Sequence, residues 1–374
     1  MFSKDDEQIL LSLAREVRTA ADKDEALNDE KRRFWFEHTS LKGKRPAVFV
    51  HPDGSWNEFL PYSSLKCVDG YAKWIELDLR KRLFRYEYIP DDVPIEKTLH
   101  IEKVYTNTWW GVLPKRETLD TAGSSWHHVP LIESPEDWDM LSSPVVTYCE
   151  EETKQRWEYM QNLFGDILTL DLCGVKLFNF HLAHYYCDYR GLENMFMDFI
   201  LDPQTVHKAI GFFTDGIISM FRQMENQGLV SLNNDDTFHY TGGIGYNNEL
   251  PIREGFDENH VRLCDVWSAA EAQELDPVSP EMHEEFILSY ERKVLSMFGF
   301  NGYGCCDNLA KKLPNVLKIK NLRRVAVCPW ADTAEFLPVL KDKYIMTWKP
   351  QPAYLATDTI SEDMIRTELN NGIR

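Results

Sequence analysis

Apolar positions along this chain repeat with two different periods. Over residues 5–40 a sparse stripe at Ile9, Leu10, Leu13, Ala14 and Val17 runs among alternating charges, which predicts one or two helices. Residues 65–84 return to that spacing with Leu65, Val68, Tyr71, Ala72, Ile75, Leu79 and Leu83. Between them AVFV (47–50), closed by the turn signal HPDG, reads as a short strand, and LHIEKVYTNTWW (99–110) reads as another. Ser134-Pro135 followed by Glu136 and Asp137 is a helix-start signature. Residues 151–164 are helical. Strand-like runs follow at 168–172 and 177–182, then a long helical stretch over 195–228 in which Asp202-Pro203 opens a fresh helix.

The alternation continues to the end. LVSLNND (229–235) and RLCDVWSA (262–269) read as strands, and residues 279–299 give the clearest helix. Ser279 caps it, Pro280 occupies its first position, Glu281 complements its dipole and Gly299 stops it. Strands are predicted at 300–306, 325–330 and 344–350, and a terminal helix after Ser361. Repeated strand–loop–helix units imply a parallel sheet. The expected fold is α/β, a single (β/α)8 TIM barrel over 46–374 preceded by an N-terminal helical extension over 1–45. A doubly wound sheet is the competitor, but it usually carries a G-x-G-x-x-G turn. The nearest approach, Gly242-Gly243-Ile244-Gly245, lies among polar residues with no helix after it and reads as a loop. No P-loop, HExxH, GxSxG or EF-hand pattern occurs.

Charge narrows the partners. The 374 residues carry 41 basic and 60 acidic side chains, a formal net charge of −19. This excess argues against nucleic acid as a partner, because phosphate neutralisation needs clustered Lys and Arg, and against an anionic membrane surface. No window approaches the roughly 18 apolar residues a membrane helix needs. The opening MFSKDDEQ places acids where a signal peptide carries basic residues, so a cytoplasmic location is expected. There the eight cysteines should be free thiols or metal ligands.

In a barrel, functional residues gather at the C-terminal ends of strands. That rule selects His181 and His184, Asn233 to Asp236, Trp267 and Glu271, Cys305 and Cys306, Cys328, and Lys349. Cys305, Cys306 and Cys328 are thiols at two successive strand ends and are candidate zinc ligands, with Glu271 or His239 as a further ligand. The plainer alternative is that they are small buried hydrophobes. Asp235-Asp236 offers carboxylates for acid/base work, and Lys349 an anchor for an anionic group. His181 and His184, three apart, share a face only on a helix. His283, inside a well-formed helix, is expected at the surface.

The stretch VSPEMHEEFILSYERKVLSMFGFNGYGCCDNL (278–309) resembles the uroporphyrinogen decarboxylase superfamily, and within it the corrinoid-linked methyltransferases. YRGLENMFMDFILDPQTVHKAI (189–210) resembles the same family's G-x-E-x-x-x-x-D-x-x-x-x-P helix pair. The resemblance implies a (β/α)8 barrel that moves a methyl group from an O-methyl or N-methyl donor to the cobalt of a partner corrinoid protein, with zinc as cofactor. Cys305 keeps the family's thiolate position; the metal ligands are expected among Cys305, Cys306 and Cys328, and the catalytic groups are expected to be Glu271, Asp236 and His239. Asn233, Tyr246, Trp267, Trp330, Lys349 and His181 would bind a small methylated substrate, and a homodimer is compatible with it. At the family's metal-binding H-x-C-G this chain reads Tyr303-Gly304-Cys305-Cys306, so the imidazole is missing. The Arg-rich R-Q-A-G-R-Y segment that holds porphyrinogen carboxylates is also missing, which with the net charge argues against that polyanionic substrate. A metal-free decarboxylase or lyase of the same superfamily, and a non-catalytic small-molecule-binding barrel, are the alternatives.

Overall fold

Residues 1–118, 126–239, 243–252 and 254–373 are described by a computed structural model. The chain divides into two compact units, one of residues 1–105 with 148–174 and one of residues 106–147 with 175–374. The divisions fall near residues 105, 147 and 174. Of the expected loop 242–245, Gly242 lies outside the described residues, and Gly243–Ile244 is a short strand paired antiparallel with Phe238–His239.

The first unit is built on helices α1 (Lys4–Lys23), α2 (Glu25–Thr39), α3 (Gly70–Tyr88) and α4 (Glu150–Phe164), with strands β1 (Thr98–Glu102) and β2 (Thr169–Cys173). Ser3 caps α1 by accepting the Asp6 amide proton at 3.1 Å, and Asp5, Asp6 and Glu7 complement the helix dipole. Leu10, Leu13, Ala14, Val17 and Ala21 form its buried stripe. They pack with Ala72, Ile75 and Leu79 of α3, Met160 and Phe164 of α4, and Leu99 and Ile101 of β1. Each large side chain of that core contributes about 1.5–3 kcal/mol by leaving water. β1 and β2 pair in parallel, with His100 opposite Asp171 and Glu102 opposite Cys173.

AVFV is not a strand here. The Val48 amide donates to Asp92 Oδ2 at 2.7 Å and the Val50 amide to Asp91 Oδ2 at 3.0 Å. Carboxylates thus take the hydrogen bonds that a neighbouring strand would otherwise supply.

The second unit is organised by one parallel sheet. Its strands are β3 (Asn179–Phe180), β4 (Trp267–Ala270), β5 (Phe300–Tyr303), β6 (Leu322–Val327) and β7 (Ile345–Trp348). Their spatial order is β7-β6-β5-β4-β3, so these five strands lie in the sheet in chain order. Helices return the chain between strands: α5 (Leu182–Arg190), α6 (Leu192–Leu201) and α7 (Pro203–Asn226) after β3, α8 (residues 280–295) after β4, α9 (Thr333–Leu340) after β6 and α10 (Glu362–Ile373) after β7. β4 is buried at every position and β6 at all but one, the near-continuous burial of strands covered on both faces. Phe178, Phe180, Phe221 and Phe298 fill the layer beneath, with centroids 5.4–6.3 Å apart. The architecture is α/β, and this sheet holds five of the eight strands expected.

Two expected strands shrink for identifiable reasons. LVSLNND makes only a parallel bridge from Val230 to Val175. Beyond it the Asn233 side chain replaces strand pairing: its amide donates to the Lys176 and Trp267 carbonyls at 2.8 and 3.0 Å, and its Oδ1 accepts the Trp267 amide proton at 2.9 Å. LFNFHL contributes only two strand residues because the chain enters α5 at once, with His181 at the N-cap position.

The predicted helix at 279–299 forms with Ser279 as its cap, accepting the Met282 amide proton at 3.2 Å, and Pro280 at its start. Its middle, Glu284–Leu288, is a π turn. Eight residues advance an α-helix by about 800°, leaving the ends about 80° apart in azimuth. One residue absorbed in the wider turn returns them to nearly the same face. His283 and Glu291 accordingly both reach Tyr303. The Tyr303 hydroxyl donates to Glu291 Oε2 at 2.8 Å and lies 2.8 Å from His283 Nε2. His283, expected at the surface, is fully buried.

Candidate functional site

The C-terminal edge of the parallel sheet is where the sequence-selected residues converge. His181 follows β3 directly, Glu271 follows β4, and Lys349 follows β7. After β5 the chain turns at Gly304, φ +93°, before presenting Cys305 and Cys306. A Cβ at Gly304 would lie 2.5 Å from Leu309 Cδ1, and its φ disfavours any L side chain. Gly304→Ala is therefore expected to lower stability by about 2 kcal/mol, read as a reduced urea midpoint with unchanged slope.

Glu271 is the centre of this edge. Its Oε1 lies 3.5 Å from His181 Nε2, and both His181 Nε2 and Glu271 Oε2 are buried with no hydrogen-bond partner. Burial pushes the Glu271 carboxyl up to about 7. The Cys305 thiol opposes that rise by hydrogen bonding, while Glu274 and Asp307 reinforce it. Burial pushes His181 down to about 4, so this imidazole is neutral. A carboxyl that is still protonated near neutrality, beside a neutral imidazole, is suited to giving up a proton.

The thiols complete the edge. Cys305 Sγ and Cys306 Sγ are 3.6 Å apart, and Lys349 Nζ donates to the Cys305 carbonyl at 3.2 Å and to Cys305 Sγ at 3.5 Å. The bond to Cys306, then burial and the nearby Glu271 charge, raise the Cys305 thiol well above its ordinary value. Lys349 is thus spent on Cys305. Cys306 is exposed.

A second layer extends from α5. His184 Nδ1 lies 3.0 Å from Glu274 Oε1. That bond raises the His184 imidazole; Glu274, although burial opposes its charge, is held below its ordinary value by the same bond. Asp188 accepts both oxygens' worth of hydrogen bonds from Arg116 Nη2, at 2.7 and 2.8 Å, and lies 3.1 Å from His128 Nδ1. Glu274 was not singled out in the sequence. The available signal is its three-residue spacing from Glu271, matching that of His181 and His184.

Five of the twelve sequence-selected residues therefore come together: Glu271, His181, Cys305, Cys306 and Lys349. Trp330 lies past the end of β6, 65% exposed. Cys328, next after β6, is fully buried. No three of Cys305, Cys306, Cys328, Glu271, His181 and His239 bring one ligand atom each to within 4.8 Å of one another. The donor set proposed for zinc at these thiols thus does not converge, and no chemical step is derived through a metal here.

The other five lie elsewhere. Asn233, His239 and Trp267 belong to a buried cluster at the N-terminal start of β4, away from the edge that Glu271 occupies, and Tyr246 is buried. His239 Nε2 is 3.2 Å from the Asn233 carbonyl and its ring packs on Trp267 at 5.5 Å. Burial, then the Arg324 charge, push His239 down to about 3. Arg324 itself lies over the Trp267 ring at 4.7 Å. Asp236 is half-buried beside Asp235, which pairs with Lys176.

Among the described residues no helix is long and apolar enough to cross a membrane, and all eight cysteines are free. Comparison with protein-family profiles, curated proteins and solved structures yields no match to this chain.

Proposed function

We propose that this chain is a methyltransferase in which Glu271 protonates the heteroatom that loses its methyl group. The observation that carries the reading is the Glu271 carboxyl, its Oε2 buried without a hydrogen-bond partner, held near 7 at the end of a parallel strand beside neutral His181. An O-methyl or N-methyl donor has a poor leaving group, and a proton placed on the departing oxygen or nitrogen removes that barrier. In the forward step the methyl–heteroatom bond breaks as the methyl passes to the partner's corrinoid, which would supply the new bond's electron pair; the heteroatom keeps the old pair and takes the Glu271 proton, and the carboxylate is reprotonated from solvent. His181 Nε2 orients the donor by hydrogen bonding. Lys349 fixes the Cys305 loop by holding its carbonyl and thiol.

The methyl acceptor, from the resemblance of residues 189–210 and 278–309, is a corrinoid on a separate protein, which supplies a strongly nucleophilic metal. The net charge of −19 favours a neutral or cationic donor. The finer fold reading is the (β/α)8 barrel. The run of parallel neighbours from β3 to β7, in chain order, supports it. A cytoplasmic location fits the free thiols.

The test is a donor screen. The chain is mixed with a reduced corrinoid protein and small O-methyl and N-methyl compounds, and the cobalt absorption is followed. Conversion of the spectrum with one donor class is the expected result. An unchanged spectrum with every donor overturns methyl transfer.

A further inference from the structure

The first unit carries a group of side chains that the reaction proposed for Glu271 does not use. On the β1–β2 pair, Leu99 and Ile101 alternate with His100 and Glu102, and Leu170 and Leu172 alternate with Asp171 and Cys173. The leucines and Ile101 pack into the helical core. Alternation sends His100, Asp171 and Cys173 to the opposite face. There an imidazole nitrogen, a carboxylate oxygen and the Cys173 thiol all lie within 4.8 Å of one another.

We infer that His100, Asp171 and Cys173 form a site for a zinc-type divalent ion. The chemistry of the donors selects the metal class. A nitrogen, an oxygen and a sulfur donor suit a borderline-soft ion such as Zn2+, whereas Mg2+ and Ca2+ take oxygen-only sets. Zinc bonds of about 2.0–2.3 Å in a tetrahedron place ligand atoms about 3.3–3.8 Å apart. The present spacing is thus within about an ångström of a closed site. His100 Nδ1 already lies 2.8 Å from Asp171 Oδ2, so the imidazole is oriented before any ion arrives.

Rigidity and charge support the same assignment. All three donors stand on paired strands and not on a loop, and their positions follow from register: His100 faces Asp171, and Cys173 is two residues further along the same strand. The Lys103 amide donates to the Cys173 carbonyl at 2.7 Å, which ties down the end of β2. Its ammonium lies near Asp171 and Cys173. Three protein donors leave one tetrahedral position for water or an exogenous ligand.

Cobalt(II) is the probe, because its thiolate complexes absorb in the near ultraviolet and its four-coordinate complexes absorb strongly in the visible. The full chain, freed of metal by chelation, is titrated with Co2+. One equivalent should bind with a thiolate charge-transfer band. Cys173→Ser should abolish that band, and His100→Ala should weaken binding by roughly tenfold or more while keeping it. X-ray absorption on the zinc-loaded wild-type chain should show one sulfur and at least one imidazole around the metal, which keeps the assignment testable if a variant fails to fold. Absence of the band in the wild-type chain overturns the site. So does a band that survives Cys173→Ser and disappears in Cys305→Ser or Cys306→Ser. No methyl donor is present, so the outcome is independent of the reaction proposed for Glu271.

Discussion

Glu271→Gln should lower the rate of methyl transfer by about 10²–10⁴-fold while leaving the fold intact. The substitution keeps shape and a hydrogen-bonding group but removes the proton that the leaving heteroatom needs. Its pH signature is specific. An ordinary glutamate, near 4.5, has lost its proton well before neutrality, whereas buried Glu271 keeps it up to about 7. The acid form is present below that value and is lost as pH rises through it, so the wild-type rate should fall above about pH 7. The same raised value makes this carboxyl's contribution to folding stability decline between about pH 4.5 and 7, because the folded state holds a proton that the unfolded chain releases. Glu271→Gln should flatten both trends. Single-turnover rates between pH 5.5 and 8.5 check the first and urea midpoints over the same range the second. A variant with the wild-type rate and profile contradicts the role given to Glu271.

Tyr303→Phe is expected to cost about 2–4 kcal/mol of stability, the larger of the two structural effects described. The hydroxyl is the shared partner of His283 and Glu291, and all three residues are fully buried. Burial holds Glu291 well above its ordinary value and His283 down at about 3, so the network is assembled from neutral groups. Removing the hydroxyl strands both neighbours in the interior, and each buried group left unpaired costs about 1–3 kcal/mol. Urea unfolding should give a lower midpoint with unchanged slope. A loss below about 0.5 kcal/mol would place Tyr303 among ordinary packing residues.

That network shows where the sequence was readable and where it was not. Helix starts carried by short-range chemistry were legible: Ser279-Pro280 opens α8 and Asp202-Pro203 opens α7. The rule that chemistry gathers at strand ends found Glu271, His181, Cys305, Cys306 and Lys349, because it needs only the strand positions. His283 was misplaced because a π turn rotates it relative to the α-helical pattern, and nothing in EEFIL announces that turn.

Asn233 and His239 illustrate a different limit. LVSLNND has strand-like composition, but its backbone pairing is taken over by the Asn233 side chain, which anchors the start of β4. Polar residues after an apolar run then looked like a strand end when they were a buried clamp. The His100, Asp171 and Cys173 group was illegible for a third reason. His100 lies 71 residues before Asp171, and only the parallel register of β1 and β2 brings it to Asp171 and Cys173.

The titration of Glu271 itself bears most directly on the proposed chemistry. Infrared difference spectra between the wild-type chain and Glu271→Gln isolate one protonated carboxyl band, followed from pH 5 to 9. The band should persist at pH 6 and disappear with a midpoint at about 7. A midpoint near 4.5 would mean that Glu271 holds no proton at neutrality and donates none.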